Sequence, residues 1–342
     1  MKLLDKSKLG HNIDEIAEFD LDNNNVVGSS YFVYQKGNVI LKKHFGNTDI
    51  NGSKKVGDGT IYRLASMTKP ITAVAILILV DRGLISLDDP VSKYIPEFED
   101  IHIKTTDGID LGKTKTPVTI LHCLTHTSGF GSEKVISMSD EDRKNIKNTI
   151  ACHVNAGLDF EPFTKQAYSG YAAFDILAAI VEIVTEQDYE EFLKNEIFIP
   201  CDMPDTTFSP SESQWKRIMT MHNKVDDKND VGITYPGCVF EGFPCEHKLA
   251  GAGLVSTLND YSNFAKMLLN KGEINNKCII SEQSFKMLSK PHVPEDIMPQ
   301  HERWGLGVRV ITDEEYRRLP VGSFGWSGAY GSHFWIDPKN DI

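Results

Sequence analysis

The chain has no apolar run long enough to cross a bilayer, no CxxC pair, no internal repeat and no surplus of basic charge. Each of these gaps excludes something. The longest apolar run, residues 71–80, is about half of what a membrane span requires, so no membrane association is expected. The opening stretch "MKLLDKSKLGHNIDEIAEFD" carries lysines without the apolar core of a secretory signal. A cytoplasmic protein is the expectation for the sequence as it stands. Lys and Arg number 36 against 48 Asp and Glu, a net charge of −12, which argues against a nucleic-acid partner because phosphate binding needs a basic face. The six cysteines, Cys123, Cys152, Cys201, Cys238, Cys245 and Cys278, are scattered and are expected to be reduced thiols, many of them buried. His122–Cys123, His126, Cys152–His153 and Cys245 with His247 lack the tight spacing of a structural zinc site. No metal and no cofactor are expected.

What is present suffices for a sizeable core: 342 residues, 40% of them hydrophobic. That length suits two domains, or one domain with a large insertion. Residues 11–20 read as a short helix, and "SSYFVYQKGNVILKKHFG" alternates around Lys36-Gly37-Asn38 as a hairpin. "TIYRLAS" is a third short strand, leading into a helix over Met67–Asp81 that Gly83 ends. "LISLDDPVSKYIPEF" follows as a loop. "TPVTILHCLTHTSGF" holds a helix entered through Thr116-Pro117, and residues 139–156, 172–185 and "DYEEFLKNEIF" continue the helical middle. Residues 209–247 read as irregular surface loops. "LAGAGLVSTLNDYSNFAKMLLNKG" is a glycine-loosened turn and an amphipathic helix closed by Gly272. "WGLGVRVIT", "GSFGWSG" and "YGSHFWIDP" then read as strands. Strands at both ends with helices between imply an α/β fold whose ends pair in one antiparallel sheet. The expected division is a sheet domain from 1–75 plus 245–342, a mostly helical domain over 76–244, and an active site at their interface.

In "YRLASMTKP", Ser66 and Lys69 stand three apart just before the apolar run. On a helix that offset places both on one face, with Cβ atoms about 5–6 Å apart. A lysine there can reach the serine hydroxyl and, once desolvated, serve as its base. The helix N-terminus favours developing oxyanion charge. Taken alone, the same pattern also describes a helix start with a capping serine and a solvated lysine. Two further stretches bear on the choice. "FEPFTKQAYSGYAAFDILAAIVEIVTE" sets Tyr168 in a turn directly before a long helix, where a tyrosine near a lysine can relay protons. "FGWSGAYGSHFWIDP" is a glycine-bearing strand whose backbone a substrate can approach.

In this order the stretches resemble the serine β-lactamase-related family, which spans class C β-lactamases, penicillin-binding DD-peptidases and β-lactamase-like family VIII carboxylesterases. The likeness runs from about residue 26 to 340 and is most specific in "YRLASMTKPITAVAILILVDRGLISLDDPVSKYIPEF", "TILHCLTHTSGF", "AYSGYAAFDILAAIVEIVTE", "FIPCDMPDTTF" and "LAGAGLVSTLNDYSNFAKMLLNKG". It implies a β-lactamase/transpeptidase-like fold: a central antiparallel sheet flanked by helices, with an inserted, mostly helical domain. It implies Ser66 as acylated nucleophile, Lys69 as its proton partner and Tyr168 as second acid/base. The Ser66 and Ala329 backbone N–H groups would form the oxyanion hole, with Trp326, Ser327, Gly328 and Gly170 lining the substrate. Which residue removes the acylating proton is disputed among related enzymes, so Lys69 and Tyr168 are treated as a coupled pair. "HTSG" at His126–Gly129 is read as scaffold.

Two departures bear on the substrate. The family often has Tyr-x-Asn where this chain has Gly170, and Lys-Thr-Gly or His-Thr-Gly where it has Trp326-Ser327-Gly328. A lysine offers a cation to a substrate carboxylate, and tryptophan cannot. The expectation is therefore a serine hydrolase acting on small neutral esters. A β-lactamase or D-alanyl-D-alanine carboxypeptidase and a non-turnover acyl-binding protein are the alternatives. The expected partner is a small-molecule ester, amide or lactam, and a homo-oligomer is compatible with the sequence. Family members usually continue past "WIDPKND" with a strand and a helix, so this sequence is expected to be truncated or to leave a sheet edge for a partner to cover.

Overall fold

The computed structural model describes residues 3–131, 138–225, 228–232, 238–240, 242–315 and 318–342. Asp5 accepts hydrogen bonds from the Ser7 and Lys8 backbone N–H groups and starts helix α1 (Lys6–Asp22), which is longer at both ends than the sequence suggests. Strands β1 (Gly28–Gln35) and β2 (Asn38–Gly46) form the expected hairpin. Its turn residues Lys36 and Gly37 both have positive φ, 49° and 80°, as a two-residue turn with the twist of the flanking strands requires. Strand β3 (Ile61–Arg63) runs into a 3₁₀ turn, Ala65–Met67, and then helix α2 (Thr68–Asp81). Gly83, at φ 68°, closes α2, with the Leu84 N–H reaching back to the Leu79 carbonyl. Every residue of α2 from Thr68 to Leu79 is buried. A helix apolar on all sides belongs at the centre of a fold, and α2 is there.

The middle of the chain departs from expectation in four places. The hairpin of β4 (His102–Lys104) and β5 (Asp110–Lys113) carries no strong alternation and was not anticipated. Helix α3 (Ile120–Leu124) does not enter through Thr116-Pro117. Thr119 caps it, because its hydroxyl takes the His122 N–H while His122 Nδ1 takes the Thr119 N–H. Helix α4 covers only Ile146–Ala156, since Asn145 caps it and leaves 142–144 as a separate 3₁₀ turn. Helix α5 (Ala172–Thr185) has the expected bounds and is buried from Ala172 to Val181. Helix α6 (Tyr189–Leu193) continues as a π turn, Lys194–Phe198. The stretch read as irregular loops holds a helical turn, α7 (Glu212–Trp215), and four strands: β6 (Met221–Val225), β7 (Lys228–Gly232), β8 (Cys238–Phe240) and β9 (Phe243–Pro244). β6 and β7 are mostly polar and β8 and β9 are only three and two residues long, so none offers an apolar alternation to read. Residues 226–227, 233–237 and 241 of that stretch lie outside the described residues.

Strand β10 (Val255–Thr257) pairs antiparallel with β3, bringing the two ends of the chain together beside the 3₁₀ turn. Helix α8 (Leu258–Leu269) follows, capped by Thr257 and ended near Gly272. The ribbon β11 (Glu273–Ile274) and β12 (Lys277–Cys278) leads to helix α9 (Glu282–Leu288). Strands β13 (Glu302–Trp304), β14 (Arg309–Ile311), β15 (Phe324–Ser327) and β16 (His333–Ile336) form one antiparallel sheet in that order. The first hairpin and this sheet are separate hydrogen-bonded groups, not the single ladder expected. Helix α8 joins them: its Lys266 ammonium lies over Phe32 of β1 at 5.1 Å, and its Tyr261 ring meets Phe334 of β16 at 5.3 Å. The main core gathers α2, α5, α6, α8 and the inner side of the last sheet.

Cys123 and Cys201 are buried, Cys152 and Cys245 are half-buried and Cys278 is exposed; Cys123, Cys152, Cys201 and Cys278 are free thiols. The Cys238 side chain lies outside the described residues. Among the described residues no helix is long and apolar enough to cross a membrane, and no His, Cys, Asp or Glu cluster is arranged to hold a metal ion.

Candidate active site

The site begins at a strained turn. Ala65, fully buried, has a φ of 46°, a left-handed conformation that costs a residue with a Cβ and persists only when its surroundings enforce it. The enforcement is visible on both sides. The Leu64 N–H donates to the Leu254 carbonyl at 2.9 Å, and the Tyr261 hydroxyl donates to the Met67 carbonyl at 2.9 Å. Ser66, between them, is half-buried at the head of α2.

Lys69 sits one turn further and is completely buried. Its Nζ donates to the Gly170 carbonyl at 2.9 Å and the Gly251 carbonyl at 2.8 Å, with Ser66 Oγ at 3.4 Å. Two of its hydrogens are therefore committed to carbonyls, and its remaining valence points at the serine. The Tyr168 and Phe174 rings close the cavity around it, their centroids 4.9 and 5.1 Å from Nζ. This geometry excludes the solvated lysine that the sequence alone left open.

Tyr168 lies directly before α5, and His126 holds it there. The His126 carbonyl accepts the Ala167 N–H at 3.0 Å, and His126 Nδ1 accepts the Ser169 N–H at 3.0 Å. Burial, the Lys69 charge and the Arg309 charge all keep the His126 imidazole well below its usual pKa, so it is neutral and an acceptor. That is the scaffold part expected of the "HTSG" stretch. The Tyr168 hydroxyl interacts with Ser66 and Lys69. Burial raises its pKa, but the Lys69 charge, the contacts to Ser66 and Lys69, and the Trp326 indole together outweigh that and leave it below the ordinary value of 10.0.

The last motif forms the opposite wall. Gly328 packs so closely on the Ser66 turn that a Cβ there would lie 2.2 Å from the Leu64 carbonyl oxygen. Ser332 reinforces the contact, its hydroxyl donating to that oxygen at 3.2 Å. Ser327 and Ala329 flank Gly328 on the same exposed edge. Among the described residues neither the Ser66 nor the Ala329 backbone N–H has an acceptor, which leaves both able to serve an oxyanion. Trp326 is half-buried, its ring 5.6 Å from Tyr168 and 4.6 Å from Trp304.

The structure thus brings Ser66, Lys69, Tyr168, Trp326 and Gly328 to one place. Gly170 is there too, but its carbonyl faces Lys69, a different position from the substrate-lining one expected. Three residues escaped the sequence reading. Gly251 holds Lys69 and admits no side chain, since a Cβ would lie 2.5 Å from the Gly170 oxygen. Its only sequence signal was a glycine in "LAGAGL". Trp304, fully buried, packs against His126 at a tilt of 54°, the ring centroids 4.3 Å apart. The Arg309 guanidinium lies 4.2 Å from the Trp304 ring and 5.5 Å from the Trp326 ring.

Comparison with known proteins gives this geometry a context. The Beta-lactamase family model matches residues 13–342. Esterase EstB of Burkholderia gladioli is 26% identical over 98% of this chain and 88% of its own. An uncharacterized protein of Mycobacterium tuberculosis (strain CDC 1551 / Oshkosh) is 27% identical over 92% of this chain and 84% of its own. Among solved structures, EstCE1, described as a hydrolase with promiscuous acyltransferase activity, superposes with a TM-score of 0.82 at 21% identity, covering 98% of this chain and 92% of that one.

Proposed function

The chain belongs to the Beta-lactamase family, whose members are hydrolases, and on that premise we propose that it hydrolyses small neutral esters through an acyl-Ser66 intermediate. The observation that carries this reading is Lys69: buried, gripped by the Gly170 and Gly251 carbonyls, and 3.4 Å from Ser66 Oγ. Ser66 Oγ attacks the ester carbonyl carbon while its proton passes to the Lys69–Tyr168 pair. The carbonyl oxygen takes the negative charge toward the Ser66 and Ala329 N–H groups, where preorganised donors act most strongly. The pair then returns the proton to the departing alkoxide. Water repeats the sequence on the acyl-enzyme and frees Ser66. Ser66 and Trp326 come from the sheet domain (1–75 plus 245–342) and Tyr168 from the helical one (76–244), so the site lies at their junction. Parallel assays of a short-chain nitrophenyl ester and a chromogenic cephalosporin test the reading. Faster ester hydrolysis supports it, and faster cephalosporin hydrolysis contradicts it.

The depressed Tyr168 pKa sets a pH dependence. The pair must begin deprotonated to accept the Ser66 proton, so kcat/KM should rise with pH. Because the Lys69 charge makes the phenol a stronger acid, the midpoint of the rise should lie below about pH 10, the value of a free phenol. A pH–rate profile on a neutral ester checks this, and a midpoint at or above about 10 would contradict it.

Trp326 is the basis for the neutral substrate. Replacing it with lysine should raise kcat/KM for an anionic cephalosporin relative to a neutral ester. One well-placed charge-assisted bond contributes about 1.5–3 kcal/mol, or roughly ten- to a hundredfold. The lower end is expected here, because the new ammonium would meet the Arg309 guanidinium behind it. A folded Trp326→Lys variant with unchanged relative preference would refute the assignment.

A further inference from the structure

A second buried polar cluster lies behind Lys69, outside the reacting groups. His247 and Asp175 are fully buried, with His247 Nε2 2.9 Å from Asp175 Oδ2. A carboxylate can only accept, so Nε2 is the donor. The other carboxylate oxygen, Oδ1, accepts the Ala250 backbone N–H at 3.2 Å. The Ala250 carbonyl in turn accepts from Thr72 Oγ1 at 2.7 Å, and Thr72 accepts the Tyr189 hydroxyl at 2.7 Å. Ala250 is thus held at both ends of its own backbone, by α5 on one side and α2 on the other.

The next residue is Gly251, whose carbonyl grips Lys69. The other grip, the Gly170 carbonyl, lies at the entry of α5, the helix that carries Asp175. Asp175 therefore ties the loop bearing one Lys69 acceptor to the helix bearing the other. His247 fixes the carboxylate and anchors the start of the same loop, its ring 5.0 Å from Phe243. The adjacent His153 adds no charge near neutral pH, since burial pulls its pKa down to about 4.

We propose that Asp175 and His247 are positioning residues for catalysis: they set the spacing of the two carbonyls that aim Lys69 at Ser66. This rests on the serine-hydrolase reading above. If the tie is released, the Gly251 carbonyl moves off Lys69, and the lysine turns away from the hydroxyl it must serve. Misplacing a catalytic group by about 1 Å can cost on the order of a hundredfold in rate. Binding of the neutral ester, which meets the far side of Ser66, should be little affected.

The test compares wild type, Asp175→Ala, Asp175→Asn and His247→Asn. For each, the rate of Ser66 labelling by a fluorophosphonate is measured across pH, together with kcat, KM for a nitrophenyl ester, and the thermal midpoint. Asp175→Ala should label about ten- to a hundredfold more slowly, with kcat reduced and KM little changed. Asp175→Asn should recover most of that loss. Its amide oxygen can keep the Ala250 N–H, while its amide N–H can serve His247 in the other tautomer. His247→Asn, too short to reach the carboxylate, should fall in the same direction as Asp175→Ala. A folded Asp175→Ala that labels at the wild-type rate with the wild-type pH profile would overturn the proposal. If Asp175→Ala does not fold, the same result in His247→Asn overturns it. If neither folds, Asp175→Asn decides: a rate near wild type supports the proposal. A loss of about a hundredfold there overturns it by making charge, not hydrogen bonding, the operative feature. A wild type that never labels at Ser66 instead rejects the serine-hydrolase reading itself.

Discussion

Replacing Ser66 with alanine is expected to abolish acylation and to lower ester turnover by roughly 10⁴–10⁶-fold, as loss of a covalent nucleophile does in a serine hydrolase. The fold should be unaffected. Among the described residues Ser66 Oγ contributes only its contacts to Lys69 and Tyr168, and Lys69 keeps both of its carbonyl partners without it. Alanine is tolerated in a helical turn, and Ser66 makes no capping hydrogen bond to be lost. The measurement is kcat/KM on a nitrophenyl ester beside the far-ultraviolet circular dichroism of the same preparation. A folded variant with turnover within tenfold of wild type would remove Ser66 from the chemistry.

Lys69→Met is expected to lower kcat/KM by about 10²–10⁴-fold, the range for losing a positioned general base. Methionine is the more informative replacement than alanine because it refills the volume between Tyr168 and Phe174. It still leaves the Gly170 and Gly251 carbonyls without their donor, a loss of about 1–3 kcal/mol of stability for each buried group left unsatisfied. A second consequence separates catalysis from packing. Burial alone would raise the Tyr168 pKa, and the Lys69 charge is the largest of the influences that lower it. Without that charge, the rising limb of whatever activity remains should move to higher pH. A folded Lys69→Met variant with an unmoved limb would mean that the two residues do not titrate as a pair.

The parts of this arrangement that could be read from the sequence are the local ones. Ser66 and Lys69 are one turn apart, and an apolar run after them marks a buried helix, so their shared face needs only helical geometry. Tyr168 follows from its place before α5, whose bounds the apolar pattern shows. What holds Lys69 could not be read in this way. The Gly251 carbonyl comes from 182 residues further along the chain, and it is a backbone atom that no residue type announces. Asp175 and His247 are 72 residues apart, and although Asp175 is the lone acid in the apolar stretch "AAFDILAAIV", nothing in the sequence names His247 or the Ala250 N–H as its partners. The error at Thr116-Pro117 has a different origin. Proline suits a first helical turn, but Thr119 and His122 form a tighter reciprocal cap that starts α3 later. Of the strands from Met221 onward, β6 and β7 are mostly polar and β8 and β9 are only three and two residues long, so their pairing depends on neighbours rather than on periodicity. Likewise, alternation identifies β14 to β16 as strands, but it reveals neither β13 beside them nor that the first hairpin bonds separately from them.

The central claim, that Ser66 carries the acyl group, is tested most directly by peptide mapping of the full chain after reaction with a fluorophosphonate or an activated ester. The account predicts one covalent adduct, on the peptide containing Ser66, absent from Ser66→Ala and formed more slowly in Lys69→Met. An adduct at any other residue, or ester turnover that persists in Ser66→Ala, would contradict it.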